Sequence, residues 1–319
     1  MKCIFMKNER GSFAVLAALV MVAVCGFAAL SIDVGYMLTA KNQLQNAVDA
    51  AALAGASGLT AGQTEAKARA IQYAHSNDCM KVPVQLSPSD VSFPASVRVR
   101  VQSTRALNLF FARVLGMNSA NVTALAAAEI GQLVGTRGLK PWAVPDLGWP
   151  IGAPVIIKAG SVGAPATNPS YFYPIDFPPL NRGTPVTGAK EYEKNIITGS
   201  DGEVFIGDVI QVEPGNMVGP TQQGVMTLIN ADPGAYWDGQ KVAGSRFPEE
   251  TSPRIVKIPF YDPNFPPNSG RKNIGVYGLG AFFISSIQGG EVTAIFLHLA
   301  TSGTRGSGNT MLYGVYLVQ

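Results

Sequence analysis

An α+β fold is predicted from three features of the sequence. An uncharged apolar run near the N-terminus leads straight into an alanine-rich helical segment. A short middle stretch alternates between apolar and polar residues. The C-terminal half is crowded with proline and glycine, and its apolar runs are only strand-length. Together these describe an N-terminal transmembrane helix continuing into a long helix on a small sheet, followed by a mainly β domain, a sandwich or a barrel.

Residues 11–32 carry no charge, and Phe13 to Ile32 are nearly all apolar. About twenty such residues match the hydrocarbon thickness of a bilayer. Lys2, Lys7 and Arg10 flank the run on one side and Asp33 on the other. The excess of cations at the start places the N-terminus in the cytoplasm and the bulk of the chain outside. A cleaved signal peptide could end near Gly26-Phe27-Ala28, but its apolar core would be shorter. A lipoprotein signal at Val22-Ala23-Val24-Cys25 has a poor residue before the cysteine. A prepilin leader at Glu9-Arg10-Gly11 lacks the glutamate five residues on, where Leu16 stands. A retained anchor is therefore expected. Cys3 and Cys79 would lie on opposite sides of the membrane, leaving Cys79 an odd thiol, free or paired between molecules.

From Val34 to Ser57 no proline interrupts the helix, and alanine, the best helix former, dominates. Met37, Leu44 and Ala51 recur every seven residues, as do Ala40, Ala47 and Ala54, forming a stripe with small residues at alternate positions. Such a helix-packing seam lets two backbones approach closely. It fits either a helix covering its own domain or a bundle between subunits. A second helical piece is expected over Glu65 to His75.

These residues also carry a resemblance. Arg10-Gly11-Ser12, Asp33-Val34-Gly35 at the end of the apolar run, and Leu44-Gln45-Asn46-Ala47-Val48-Asp49-Ala50-Ala51-Ala52-Leu53-Ala54 resemble the N-terminal region of TadE/TadG-like Flp (Tad) pilus-assembly proteins, strongly over about the first sixty residues. Gly11, Asp33, Gly35, Leu44, Gln45, Asn46 and Asp49 are the matching positions. A weaker echo runs through Phe110–Gly116 and Val122–Glu129. The resemblance implies a structural or scaffolding component of a pilus assembly system at the bacterial inner membrane, with its bulk periplasmic or surface-exported. It implies no catalysis and no cofactor. Its partners would be other Tad pilus-assembly proteins, pseudopilins or a second copy through the N-terminal helix. Some members carry a von Willebrand A domain with a metal loop of the form D-x-S-x-S; no such pentapeptide exists here.

In the middle region Val97, Val99 and Val101 alternate with Arg98, Arg100 and Gln102, a half-buried strand. Leu107, Phe110, Phe111, Val114 and Leu115 fall at helical spacing, with Gly116 placed to cap the end. Val122, Ala124, Ala126, Ala128 and Ile130 alternate again. Strand, short helix, strand beside a long helix is a pilin-like arrangement.

Nineteen of the 22 prolines follow Gly138. Proline breaks helix interiors and central strands, so strands rather than long helices are expected there. They are expected over 155–158, 203–212, 224–229, 254–260, 276–287, 291–299 and 310–318. Glu213-Pro214-Gly215-Asn216 reads as a type II turn, and Gly289-Gly290 as a two-residue hairpin between apolar strands that should be central to their sheet. The expected organisation is 1–12 cytoplasmic, 13–32 transmembrane, 33–138 long helix and small sheet, and 139–319 an independently folding β domain.

Composition excludes several function classes. The net charge is +3, with +2 of it in the first ten residues, which leaves no basic face for nucleic acid. His75 and His298 are the only histidines, and His298 is expected buried and hydrogen-bonded in its strand. There is no zinc spacing, no phosphate loop and no nucleophile elbow. GVYGLG, with Gly275, Gly278 and Gly280, does not match a dinucleotide fingerprint. Asp262-Pro263-Asn264 with Asn268 could line a calcium loop, but turn chemistry explains them equally. Trp142, Trp149, Tyr171, Phe172 and Tyr173 could form an aromatic surface, which supports an alternative reading: a membrane-tethered β domain binding a surface polymer or protein partner. They could equally be core anchors. No catalytic, cofactor-binding or metal residues are assigned.

Overall fold

The computed structural model describes residues 10–159, 172–248, 251–267 and 273–318. It divides into two compact units. One is built from residues up to 58, 63–128 and the last residues of the chain; the other comprises 59–62 and 129–316.

The first unit hangs on helix α1, Arg10–Gly58, which runs 49 residues without a break. At 1.5 Å per residue it is about 74 Å long. Its N-terminal part exposes apolar side chains all round, among them Phe13, Leu16, Leu19, Val22, Val24 and Phe27. It is long and apolar enough to cross a membrane. From Ala40 onward the helix is instead half covered. Ala40, Leu44, Ala47 and Ala51 are fully or almost fully buried, Ala54 is buried, and Met37 is half-buried. The seven-residue stripe is thus a seam within the chain, closed by helix α2, Gln63–His75, and by a sheet of β1, Val91–Ala95, β2, Arg98–Asn108, and the first part of β3, Ser119–Thr136.

Small residues set the α1–α2 distance. A Cβ on Gly58 would stand 2.7 Å from Ala66 Cα, and one on Gly55 would meet Ala70 and Val99 at 3.1 Å. On α2 the facing residues are Ala66, Ala70 and Ala74, all buried. Strand alternation is as expected over most of its length: Val99, Val101, Ser103 and Leu107 point inward from β2, and Val122, Ala124, Ala126 and Ala128 from β3. Val97, however, falls in the turn before β2 and is exposed, and Ile130 is only half-buried.

Between those strands the expected helix is absent. β2 continues through Leu107, and only a 3-10 turn, Ala112–Leu115, follows. Gly116 closes it at φ 84°, donating to the Arg113 carbonyl. Periodicity alone suggested an inward face, yet Phe110, Phe111, Val114 and Leu115 are exposed.

The second unit centres on a mainly antiparallel sheet. Its strands are β4, Trp142–Pro145, β5, Pro154–Lys158, β6, Ile255–Tyr261, β7, Gly278–Gln288, and β8, Glu291–Leu297, in the order β5-β8-β7-β6-β4, with Tyr173–Pro174 beyond β4. The β7–β8 hairpin turns at Gly289-Gly290, both at positive φ, and pairs Gln288 with Glu291. It is central and covered on both faces. Ala281, Phe283, Ile295 and Leu297 join one core cluster with Leu133, Leu299 and Leu312; Phe282, Ile284, Ala294 and Phe296 join the other.

That second cluster is roofed by two helices, a correction to the expectation of strands alone. They are α3, Ala189–Thr198, and α4, Val218–Ala231, which contribute Tyr192, Ile196, Val225 and Leu228. The run 224–229, expected as a strand, lies in α4. Pro220 sits in its first turn, where the missing N–H would have no helical partner anyway. The two helices touch at Gly224, where a Cβ would be 2.8 Å from Ile196. The run 203–212 is likewise split, by a turn with Gly207 at φ 94°, into Val204–Phe205 and Val209–Gln211.

Residues 129–136 of β3 are integral to this unit. Gly135 pairs with Phe205, Thr304 pairs with Gly135, and Leu133 is fully buried. A fragment starting at 129 should therefore be more stable than one starting at 139. Losing the burial of Leu133 alone should cost about 2–5 kcal/mol, by analogy with core Leu→Ala changes. Urea unfolding followed by circular dichroism checks this, and equal midpoints would refute it.

Candidate functional site at the end of the apolar span

Asp33 is the first ionisable residue after the apolar run, and it is only 3 % exposed. Its Oδ1 accepts from the Phe110 N–H at 2.8 Å, and its Oδ2 from the Phe111 and Ala112 N–H groups at 2.9 and 2.6 Å. Those amides open the Ala112–Leu115 turn, whose own N-cap residue, Phe111, supplies no side-chain cap. A carboxylate from a distant helix thus satisfies donors that a helical turn leaves orphaned. Burial alone would push the Asp33 carboxyl up, but the three N–H donors and the nearby Arg113 guanidinium outweigh it and hold the carboxyl below its ordinary value. Tyr36, one turn on, stacks edge-on against Phe110 at 5.2 Å.

The other motif positions continue this pattern along α1. Gln45 donates from Nε2 to Asp49 Oδ1 and to the Leu125 carbonyl, each at 2.8 Å, while Lys41 donates to the Thr123 carbonyl. Two carbonyls of β3 are thereby taken by α1. Leu44 is buried in the seam, Asn46 is exposed, and Gly11 lies in the first turn of α1. Gly35 has open space around it, and nothing in the structure explains why it is glycine. So two of the motif residues, Asp33 and Gln45, tie α1 to its own unit, while Asp49 holds the Gln45 side chain from within the helix. The sequence marked these positions, and Phe110–Ala112 as part of a weaker echo, but not the contact between them, to which the loop contributes backbone amides.

Cys79 is buried, and its Sγ lies 3.4 Å from the Ala40 carbonyl, which it can donate to. Burial pushes its thiol pKa up, so it is a packing residue rather than a reactive one. Cys25 is exposed on the apolar part of α1, and Cys3 lies outside the described residues.

In the second unit the residues considered for chemistry or binding are structural. Trp142 is fully buried and donates from Nε1 to the Tyr192 hydroxyl at 2.7 Å. Trp149 packs edge-on against Phe260, Phe282 and Phe296. Phe172 is buried, Tyr173 stacks on Tyr261, and Tyr171 lies outside the described residues. Asp262 Oδ1 accepts from the Asn264 backbone and side chain, a local turn; Asn268 is likewise outside. Gly280 admits the Phe260 ring, which leaves no room for a Cβ. His298 corrects the expectation of burial. β8 ends at Leu297, so His298 falls between strands, half-buried, with its ring 5.6 Å from Tyr313. His75 is exposed at the end of α2.

Buried polar groups in this unit are mostly locked. Asp232 accepts from the Ser245 and Ser252 hydroxyls, both at 2.6 Å. Arg254 donates to the carbonyls of Asp232, Ala235, Ile284 and Ser285. Asp176 is buried near the Glu213 carboxyl; desolvation first, and then that neighbour, push its pKa well above the carboxylate range. Among the described residues no three His, Cys, Asp or Glu side chains converge to hold a metal ion.

Residues 11–58 match the family model described as putative Flp pilus-assembly TadE/G-like. No curated protein and no solved structure matches the chain. The matched stretch coincides with α1 almost from end to end.

Asp33→Asn keeps the shape of the side chain but removes the charge that the amides bind. In detergent-solubilised protein its melting temperature should fall below wild type at neutral pH. A depressed carboxyl pKa gives stability that is present above the unfolded value and lost as pH falls through the folded one. The gap should therefore close below pH 3.8. A gap that persists unchanged into acid would show that the charge is not what the loop requires.

Proposed function

We propose that the chain is a membrane-anchored structural or scaffolding component on the exported side of a Tad/Flp-type pilus assembly system. The observation that carries this reading is the coincidence of the TadE/G-like match with a single helix, half of which is bare and apolar and half docked on its own unit. The bare half, 13–32, is the single-pass anchor. Lys2, Lys7 and Arg10 keep the preceding residues, 1–12, in the cytoplasm. The region 33–138 and the β region 139–319 then stand outside the inner membrane, in the periplasm or at the surface.

In this role the protein's work is positional. Sharp helix kinks arise at proline, Gly/Ser pairs, π-bulges or inserted groups, and from Val15 to Ala54 α1 has no proline and no Gly/Ser pair. An unbroken α1 transmits the orientation of the membrane segment directly to the unit built on it. The seam of Ala40, Leu44, Ala47, Ala51 and Ala54 is occupied by the chain's own α2 and sheet, so self-association through α1 falls to the apolar half. Other pilus-assembly proteins or pseudopilins are the partners this reading requires, and no nucleic acid enters it. The aromatic residues that suggested a polymer-binding β domain are largely packed into its core, and no observation favours that alternative.

Deleting the gene in its own organism should abolish sheared pili, and the full chain supplied in trans should restore them. A version with residues 13–32 replaced by a cleavable secretion signal should not restore them. Normal pilus yield in the deletion strain would refute the assignment; rescue by the soluble version would refute the anchor's part in it.

A further inference from the structure

We propose that the loop Phe110–Met117 is a second membrane contact, an apolar wedge that enters the headgroup region of the leaflet from which α1 emerges. This rests on the reading of 13–32 as the anchor. Five apolar side chains are exposed within eight residues: Phe110 at 58 %, Phe111 at 43 %, Val114 at 90 %, Leu115 at 64 % and Met117 at 52 %. Single exposed apolar residues need no explanation, but a contiguous group of this kind marks an interaction surface. Within the loop Ala112 is buried, as are Leu107 and Leu109 just before it, so the loop is folded and its outward side chains are the ones its core does not use.

The loop is held in shape. Leu109 donates its N–H to the Asn118 carbonyl, Met117 donates to Ala112, and Gly116 donates to Arg113. Its height is fixed as well, by the three amides bound to Asp33. Asp33 follows directly on Ile32, the last residue of the apolar span. Side chains on a helix lean toward its N-terminus, here toward the bilayer, so the loop is drawn to the level of the last turn of the span. Tyr36, packed on Phe110, adds an aromatic ring at the depth where aromatic belts form. The one charged residue of the loop is Arg113, exposed and cationic, which suits the anionic headgroups of a phospholipid surface. A protein partner could bury the same side chains, but the tie to α1 sets the loop's position relative to the lipid before any partner arrives.

The test uses the full chain in phospholipid vesicles made with acyl chains brominated at a shallow or a deep carbon, bromine quenching nearby tryptophan. Emission of the added tryptophan is read as the difference from the parent protein, which has Trp142, Trp149 and Trp237. Val20→Trp, in the span, reports the anchor; Val114→Trp reports the loop. The expected result is that both are quenched, Val114→Trp more strongly by the shallow bromine, with a blue shift relative to detergent. Asp33→Asn in the Val114→Trp background should reduce that quenching. If Val20→Trp is quenched and Val114→Trp is not, the wedge is refuted while the anchor stands. A blue-shifted but unquenched Val114→Trp would mean that protein covers the loop, and would overturn the proposal equally. Absence of quenching at Val20→Trp would refute the anchor itself.

Discussion

An ionised carboxylate cannot sit in hydrocarbon, and it cannot sit buried in protein without donors to replace water. Asp33 meets both demands at the one place in α1 where they coincide, immediately after the last apolar turn. Three backbone N–H groups take over its hydration, and in return it fixes Phe110–Ala112 against the helix. The loop between β2 and β3 is thereby pinned to α1, and with it the start of β3. Farther along, Lys41 and Gln45 bind carbonyls of β3, and the alanine seam closes on α2. Asp33 is the first of these ties and the one nearest the apolar run.

The interior of the first unit shows why the tie is needed. Apart from Leu44, the buried part of its seam is mostly alanine, with glycine where α2 comes closest, and these small residues bring backbones close but bury little apolar area each. Close approach at Gly55 and Gly58 recovers dispersion contacts, yet such an interface tolerates sliding more readily than one with large knobs. Directional hydrogen bonds at Asp33, Lys41 and Gln45 fix the register that the seam leaves loose. The second unit follows the opposite strategy. A cluster of Phe260, Phe282 and Phe296 around Trp149 packs large rings against one another, and glycine appears where a ring must enter, as at Gly280.

Much of this was legible in the sequence because it rests on periodicity. The uncharged run, the heptad stripe, the shared inward face of Val99 and Val101 and of Val122 to Ala128, and the Gly289-Gly290 hairpin are local patterns, although the stripe alone fitted two kinds of partner. What was not legible depended on tertiary context. Phe110, Phe111, Val114 and Leu115 have helical spacing, but spacing cannot tell an inward face from an outward one, and β2 consumed the residues a helix would have needed. α3 and α4 were hidden because proline density was read across the whole C-terminal half, whereas Pro220 sits where a helix accepts it. His298 left its strand because the chain breaks off after Leu297 before pairing again at Leu299–Ala300. At the candidate site the sequence showed the carboxylate and the flanking motif but not the partner, since backbone amides leave no signature in side-chain identity.

The central claim is that α1 is one rigid element, bare before Asp33 and clamped from it onward. Hydrogen–deuterium exchange of the full chain in lipid nanodiscs, resolved by mass spectrometry along residues 27–58 and 107–118, tests it most directly. Continuous protection through residues 30–40 is predicted, with Asp33→Asn accelerating exchange selectively at Phe110–Ala112 while the alanine seam stays protected. Rapid exchange in wild type between residues 32 and 38 would reveal a hinge where the account requires none, and would contradict it.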